Sequence, residues 1–237
     1  MEVEQLVESA LPFLTWLGDW KAALPTFELA KEIGDPEQVA VISVDVTNGF
    51  CYEGPLSSPR VASIVPPIER LFRRAHELGV RDFVLSKDTH EAHAVEFGSF
   101  VPHCTAGSRE SEPVPELKAL HFFDIFTVIP KNSISSTIGT ALPAWLDARP
   151  MLNTFIVVGD CTDLCTYHLA MDLRLRANAF QRASDRIIVP VDCVDTYDLP
   201  APVAQEIGTF PHHADLLHLI FLYSMALNGV QVVSQVI

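Results

Sequence analysis

The sequence is poor in basic residues: 16 lysines and arginines stand against 30 aspartates and glutamates, which gives a formal net charge of −14. A surface this acidic argues against both a nucleic acid and an anionic membrane as partner. Long apolar runs are lacking too, since none approaches the ~18 residues that a membrane span needs. The chain starts acidic rather than basic, which is not the pattern of a secretory signal peptide.

Cysteine is also scarce. Five cysteines, an odd number spread over 237 residues, do not suit a disulfide framework, so we expect free thiols. The sequence shows no internal repeat, low-complexity tract or Gly/Ser linker that would divide it into several domains. These absences together predict a soluble, cytoplasmic protein with one main domain.

Short apolar, β-branched runs recur along the chain, separated by segments with apolar residues at helical spacing. The predicted strands are residues 39–46, 82–86, 126–130, 154–159, 187–191 and 230–236. The predicted helices are residues 67–78, 135–147, 163–180 and 212–227. Most of the strands lack polar alternation, as expected when both faces of a sheet are covered. The sequence therefore predicts a three-layer α/β fold, in which an open, mostly parallel six-stranded sheet carries helices on both faces.

Residues 1–38 precede the first predicted strand and are interpreted as an N-terminal helical extension to a domain of residues 39–237. Their apolar side chains Trp16, Leu17 and Trp20 could pack on the domain or on a second subunit, which leaves a homo-oligomer open. Apolar stripes are more often core than interface, and this favours the intramolecular alternative.

Polar residues follow four of the predicted strands at the point where each strand ends. They are Asp45, Asp88 with His90, Lys131, and the loop of residues 160–165. Ligands of open α/β sheets bind beyond the carboxyl ends of the strands, so we expect these groups to converge on one crevice.

Cys165 is the candidate nucleophile of this crevice. Thr162 or Asp163 suits the N-cap of the following helix, which places Cys165 near the first helical turn. The helix N-terminus and the ammonium group of Lys131 would both favour a thiolate. The structural alternative for Cys165 alone is that of a small buried hydrophobe.

Two further groups could complete a nucleophilic site around this cysteine. Asp45 could accept the thiol proton and return it to a leaving group. The backbone amides of Cys161 and Cys165 could stabilise a developing oxyanion. We assign the Cys161 side chain a structural role, because one crevice needs only one nucleophile.

A second polar cluster, KDTHEAHAVEFGSFVPHC, occupies residues 87–104. An Asp-x-His pair, Asp88 and His90, leaves a strand end, and the chain returning through Glu96 to His103 could complete a divalent metal site. Mixed imidazole and carboxylate ligands suit Zn²⁺, Fe²⁺ or Mn²⁺, and we expect one such ion per subunit, zinc first. The alternative for the cluster is a polar surface loop, which is the interpretation given to His93.

With these motifs in hand, the sequence resembles the isochorismatase-like cysteine hydrolases, and most closely their nicotinamidase branch, from about residue 39 onward. The first family motif is present as DVTNGF with Asp45, the catalytic lysine as Lys131 in VIPKNSISSTIGT, and the nucleophile as Cys165 in GDCTDLC. The resemblance implies a Rossmann-like topology and an Asp–Lys–Cys triad. It also implies a cis peptide bond between Asp160 and Cys161.

The resemblance extends to the metal motif of nicotinamidases, Asp-x-His followed by Pro-His-Cys. It maps the ligands onto Asp88, His90 and His103, and Glu96 matches a further ligand of some members. His93 has no secure counterpart in this motif.

Aromatic side chains sandwich the pyridine ring in that branch, and the matching positions are Phe50 and Phe100. The resemblance thus predicts a hydrolase of linear amides that converts nicotinamide to nicotinate and ammonia through a thioester, a reaction of NAD salvage. Two alternatives stay open. The same triad could act on another small amide, an N-carbamoyl or a ureido compound, or the chain could be a non-catalytic binding module.

Overall fold

The computed structural model describes residues 2–237 and contains one six-stranded sheet. The strands are Val39–Val44 (β1), Asp82–Asp88 (β2), Thr127–Lys131 (β3), Thr154–Gly159 (β4), Arg186–Pro190 (β5) and Gln231–Val233 (β6). Their spatial order is β3-β2-β1-β4-β5-β6, and every neighbouring pair is parallel. The predicted α/β fold and its Rossmann-like order are confirmed.

Helices connect the strands and cover the sheet. The α-helices are Val3–Ala22 (α1), Leu29–Glu32 (α2), Asn48–Cys51 (α3), Pro59–Ala62 (α4), Val65–Glu77 (α5), Pro115–Lys118 (α6), Leu142–Asp147 (α7), Cys165–Ala179 (α8), Ala201–Ile207 (α9) and Ala214–Leu227 (α10). Short 3₁₀ helices span Pro36–Gln38, Val95–Gly98, Phe123–Ile125 and Val191–Cys193. Within residues 2–237 no helix is both long and apolar enough to span a bilayer.

The sheet separates two apolar cores. On one face α5 packs Ile68 and Phe72 against the strands, and both side chains are fully buried. On the other face α7, α8 and α10 supply Trp145, Leu169 and Leu222. Every residue of β1 and β4 is buried, which explains why these strands lack polar alternation in the sequence. Each fully buried large apolar side chain contributes roughly 1.5–3 kcal/mol.

The predicted helix over residues 135–147 is wrong in its first half, because α7 begins only at Leu142. Side-chain hydrogen bonds hold the preceding residues in turns: Ser86 Oγ donates to Ser136 Oγ (2.8 Å), and Thr140 Oγ1 donates to the Ser136 carbonyl (2.6 Å). Gly139 has a left-handed φ of 72°. Hydroxyl groups that bind the nearby backbone compete with helical hydrogen bonds, and here they prevail.

The N-terminal segment packs on its own chain. Leu17 of α1 is fully buried, and the rings of Phe13, Trp16 and Trp20 lie 5.4, 5.8 and 6.0 Å from the ring of Tyr223 in α10. Farther along, Phe27 exchanges backbone hydrogen bonds with the C-terminal segment of residues 235–237. Leu17 and Trp20 thus pack within the chain, whereas Trp16 stays half exposed. The homo-oligomer and the division at residue 38 stay predictions.

Candidate active site

A row of ionisable side chains crosses the carboxyl edge of the sheet. Lys131 ends β3, Asp88 ends β2, Asp45 follows β1 and Asp160 follows β4, in the order of the neighbouring strands. All four residues are at most 2 % exposed. The strand order reverses between β1 and β4, and this reversal is where open α/β sheets bind their ligands.

A cavity opens above this row. Its volume is about 400 Å³, which includes the part that is open to solvent. Its lining consists of Asp45, Phe50, Leu56, Asp88, Glu96, Phe100, His103, Ile134, Asp160, Cys161, Leu164, Cys165 and Tyr197. Asp45, Asp88 and the loop of residues 160–165 thus converge on one crevice, while Lys131 contacts Asp45 and Asp88 without lining it.

Lys131 lies at the centre of the buried charges. Its Nζ is 2.7 Å from Asp45 Oδ2, donates a hydrogen bond to Asp88 Oδ1, and lies 3.6 Å from Cys165 Sγ. It also donates to the backbone carbonyl of Ser133 at 3.2 Å. One ammonium group therefore contacts two carboxylates and the candidate nucleophile.

Asp45 keeps one oxygen available for a proton. Its Oδ1 accepts the backbone N–H of Asp88 at 2.7 Å. Its Oδ2 forms an ion pair with Lys131 Nζ at 2.7 Å and has no other polar partner among residues 2–237. Asp45 adopts a left-handed φ of 56°, a conformation that aspartate tolerates better than most residues. Its carboxylate and Cys165 Sγ lie within 4.8 Å of each other.

Burial and charge together set the ionisation of this group. Burial and the Asp88 carboxylate raise the pKa of Asp45, Lys131 opposes the shift, and the net result is a pKa of about 6. Burial disfavours the Lys131 ammonium, but the two carboxylates outweigh it and hold the pKa of Lys131 well above its usual value. Burial likewise acts to raise the pKa of Asp88, yet Lys131 and the histidines hold it well below its usual range.

Cys165 begins α8, in the first helical turn as the sequence predicts. Burial raises the pKa of the thiol well above its usual value, Lys131 opposes this, and the carboxylates of Asp45 and Asp88 add to it. This direction favours the thiol, the form whose proton Asp45 is predicted to accept. A nucleophile in this state depends on a neighbouring base to remove its proton.

The N-cap of α8 also differs from the prediction. Leu164 occupies that position and offers no side-chain cap. Thr162 Oγ1 instead contacts His218 Nδ1 at 2.9 Å, and Asp163 Oδ2 contacts His212 Nε2 at 2.8 Å. His212 lies 49 residues after Asp163 and His218 lies 56 residues after Thr162, and both histidines hold the nucleophile loop in place. Such distant partners leave no local signal in the sequence.

Two backbone N–H groups beside the nucleophile lack acceptors. Those of Cys161 and Cys165 donate no hydrogen bond within residues 2–237, as an oxyanion hole requires. The peptide bond between Asp160 and Cys161 is cis, as the resemblance implied. The Cys161 thiol is buried and donates to Asp160 Oδ2 at 3.7 Å, and burial raises its pKa well above the usual value.

The candidate metal ligands converge beside this site. Ligand atoms of Asp88, His90 and His103 lie within 4.8 Å of one another, with both Nε2 atoms 3.3 and 3.4 Å from Asp88 Oδ2. The Nδ1 atoms are engaged elsewhere, with Asn132 Oδ1 (3.3 Å) and the Val101 carbonyl (2.8 Å). His90 Nε2 is buried without a hydrogen-bond partner among residues 2–237. A divalent ion fits this orphaned nitrogen and this donor set.

Glu96 and His93 lie outside that cluster. Glu96 lines the cavity, but its Oε2 accepts the backbone N–H of Ile134 at 3.0 Å. His93 is exposed to solvent. The structure thus brings three of the four predicted ligands together and places the fourth on the cavity wall.

Aromatic side chains form much of the remaining wall. Phe50 and Phe100 both line the cavity, with ring centroids 5.4 and 6.4 Å from that of His103. Tyr197 lines it as well, and its ring stacks on His212 at 4.0 Å. No sequence motif predicts Tyr197, which reaches the site from the segment after β5.

Comparison with known proteins bears on the same residues. A family model described as the isochorismatase domain matches residues 39–212, a span that includes every residue lining the cavity. The chain belongs to the isochorismatase family. The chain is also 30% identical, over 212 residues, to nicotinamidase 1 of Arabidopsis thaliana. That alignment covers 84% of this chain and 86% of the plant protein.

Solved structures of other proteins share this fold. Nicotinamidase PncA from Bacillus subtilis aligns with a TM-score of 0.66 at 22% identity, covering 83% of this chain and 99% of that chain. Pyrazinamidase of Pyrococcus horikoshii, solved in complex with zinc, aligns with a TM-score of 0.63 at 20% identity, covering 83% and 98%.

Proposed function

We propose that this isochorismatase-family hydrolase is an amidohydrolase that converts nicotinamide to nicotinate and ammonia, a step of NAD salvage. The observation that carries the proposal is the buried cluster in which Lys131 contacts both Asp45 and Cys165. Next to it lie Asp88, His90 and His103, whose side chains are typical metal ligands. The similarity to a plant nicotinamidase supports the choice of substrate.

The first half of the reaction forms a thioester. Asp45 accepts the proton of the Cys165 thiol, and the resulting thiolate attacks the carboxamide carbon. The backbone N–H groups of Cys161 and Cys165 hold the oxyanion of the tetrahedral intermediate. Asp45 then gives its proton to the departing nitrogen, and ammonia leaves. A base with a pKa of about 6 suits both transfers, because it exchanges protons readily near neutral pH.

The second half hydrolyses the thioester. Asp45, again a carboxylate, takes a proton from a water molecule that attacks the thioester carbon. The C–S bond breaks, the proton returns to the Cys165 sulfur, and the carboxylic acid product leaves the site. Lys131 keeps its charge throughout and stabilises each state in which Asp45 or Cys165 is anionic.

Asp88, His90 and His103 would hold a divalent metal ion beside the cavity. Such an ion supplies a Lewis-acidic position for a ring nitrogen of the substrate. Two imidazoles and a carboxylate favour zinc, and zinc is bound in the Pyrococcus structure of the same fold. Phe50 and Phe100 would cover the faces of the ring.

Replacement of the nucleophile tests the reaction. Cys165→Ala is expected to lower kcat for ammonia release from nicotinamide by at least about a thousandfold, because no other group forms the thioester. The matched control is Cys193→Ala, another buried free thiol, which packs in the core away from the cavity and should keep wild-type kcat. Wild-type ammonia release by Cys165→Ala would refute the proposal.

Metal content provides a separate test. The purified protein should contain about one divalent ion per chain, measured by elemental analysis, and His90→Ala should contain much less. A chelator should also lower the melting temperature of the wild type more than that of His90→Ala, since only the wild type loses a bound ligand. An absence of metal in both proteins would remove the metal site from the proposal.

A further inference from the structure

Asp160 is a buried acid in the cavity wall whose side chain has no part in the mechanism above. It is 1 % exposed and follows β4 at the point where the strand order reverses. Its Oδ2 accepts the thiol hydrogen of Cys161 at 3.7 Å, while its Oδ1 is buried with no hydrogen-bond partner among residues 2–237. A buried polar atom without a hydrogen-bond partner is destabilising, and a ligand that supplies the missing partner removes that cost.

The charges around Asp160 favour its neutral form. Lys131 contacts Asp45 and Asp88 but makes no contact with Asp160, the last residue of the row. Burial raises the pKa of Asp160 well above its usual value, and the nearby Asp45 carboxylate raises it further. Because Oδ2 accepts from Cys161, the proton of the neutral acid belongs on Oδ1. That atom is then a hydrogen-bond donor that faces no protein acceptor.

The position of Asp160 defines which part of a substrate it can reach. The next residue, Cys161, supplies one of the two amides proposed for the oxyanion, and Asp45, on the neighbouring strand, is the group proposed to receive the leaving nitrogen. A substrate carbonyl carbon held between these groups presents its third substituent, the acyl part, to the cavity. Asp160 is one of the residues that line that space.

We propose that Asp160 determines substrate specificity by donating a hydrogen bond to an acceptor atom next to the carbon that bears the carboxamide. This inference rests on the proposed amidohydrolase function and ranks the substrates of that function: a heteroaromatic carboxamide with a ring nitrogen at that position is hydrolysed with a higher kcat/KM than nicotinamide, which carries C–H there. A ring that carries C–H there leaves Asp160 Oδ1 without a partner, and the site then discriminates against it.

Two substrates isolate this contact. Pyrazinamide differs from nicotinamide by one exchange, a ring C–H next to the carboxamide-bearing carbon replaced by nitrogen. Both rings keep the nitrogen that a metal at Asp88, His90 and His103 would bind. The ratio of kcat/KM for pyrazinamide to kcat/KM for nicotinamide, taken on one preparation, therefore reports the single added acceptor and is independent of the fraction of active protein.

The test compares this ratio in wild type, Asp160→Leu and Asp160→Asn. Leucine has a similar volume but no donor, so the ratio should fall about tenfold, the size of one neutral hydrogen bond. Asparagine keeps an N–H donor, so its ratio should stay within about threefold of wild type. An unchanged ratio in Asp160→Leu would overturn the inference. Equal losses on both substrates would overturn it too, because they would indicate a contact with the scissile amide common to both.

A binding measurement distinguishes a failure of this inference from a failure of the proposed function. In a Cys165→Ala background, which cannot form the thioester, the ratio of the two dissociation constants is measured by calorimetry with Asp160 and with Asp160→Leu. The same tenfold change is expected there. If wild type hydrolyses neither amide, the proposed function fails, and the binding ratio still decides whether Asp160 recognises the added acceptor.

Discussion

Lys131 is expected to have a large effect on stability for a single residue, because its ammonium group pairs with two carboxylates that are both at most 2 % exposed. Removing only the cation leaves Asp45 and Asp88 buried beside each other without compensation. We therefore expect Lys131→Met to lower the free energy of unfolding by about 3–5 kcal/mol, measured by urea denaturation at neutral pH.

The control for this experiment is Lys118→Met. Lys118 pairs with Glu112 at 2.7 Å on the surface, where both side chains are about half exposed, and such pairs contribute less than about 1 kcal/mol. Equal effects of the two substitutions would show that the buried cluster is hydrated in solution rather than dry.

His212 and Asp163 form a second buried pair, and its contribution should depend on pH. The pKa of His212 is raised: burial acts against its charge, and Asp163 more than compensates. The pKa of Asp163 is lowered: burial acts to raise it, and the hydrogen bond from His212 prevails. Because the pKa of His212 is raised on folding, its stabilising effect is complete below the usual histidine pKa of 6.5. Because the pKa of Asp163 is lowered, its stabilising effect is complete above the usual aspartate pKa of 3.8.

The pH dependence of His212→Gln follows from these signs. Between pH 3.8 and pH 6.5 the substitution should lower the free energy of unfolding by about 1.5–3 kcal/mol, which is the contribution of a hydrogen bond to a charged group. Its effect should shrink as the pH falls through the lowered pKa of Asp163 or rises through the raised pKa of His212. Denaturation across pH 3–9 measures this, with exposed His93→Gln as control; a flat difference would contradict the pair.

The residues that carry chemistry were predictable where a strand end placed them. Asp45, Lys131 and Cys165 each follow a strand or begin a helix at one edge of the sheet, so their convergence follows from parallel topology. The pKa of the Cys165 thiol was predictable only in part. Helix position and a nearby ammonium favour a thiolate, but burial outweighs both. Burial depends on residues far along the chain, which one local motif does not show.

Among the secondary-structure elements, β4 depends on a glycine at its end. Gly159 has a φ of 114°, and a Cβ built there would lie 1.9 Å from the backbone oxygen of Val44 in β1. The backbones of the two central strands therefore approach each other directly before Asp45 and Asp160. Gly159→Ala should lower the free energy of unfolding by more than about 4 kcal/mol or prevent folding, measured by urea denaturation.

Gly18 provides the matched control in α1, since a Cβ there meets nothing within 4 Å. Gly18→Ala should stabilise the protein by up to about 1 kcal/mol, because alanine has the higher helix propensity. If Gly159→Ala also unfolds like the wild type, the two central strands must be able to separate at their ends.

The elements themselves followed from sequence pattern to different extents. The six strands were predicted because buried parallel strands are continuous apolar runs, and each observed strand overlaps its predicted range. Helix starts were harder, since they depend on which partner a polar side chain chooses. Thr162 and Asp163 have the chemistry of N-caps, but they bind His218 and His212 instead, and α8 begins without a side-chain cap.

At the scale of the whole molecule, the family match leaves out α1, although two of its side chains pack on the domain. The matched residues are 39–212, and every residue that lines the cavity falls between Asp45 and Tyr197. Leu17 of α1 is nevertheless fully buried, and Trp20 packs on the core formed by α7, α8 and α10. The N-terminal helix is thus expected to support stability rather than chemistry.

Leu17→Ala tests that assignment. If α1 unfolds together with the sheet, the cavity left by the substitution should lower the free energy of unfolding by about 2–5 kcal/mol, while kcat/KM for nicotinamide stays within about twofold of wild type. Leu11→Ala, 61 % exposed on the same helix, should change the free energy of unfolding by less than about 0.5 kcal/mol. If Leu17→Ala matched Leu11→Ala and only sped up amide hydrogen exchange within α1, the helix would detach before the domain unfolds. Cooperativity would then end near the start of the family match, because local unfolding of α1 leaves the β-sheet and its two cores intact.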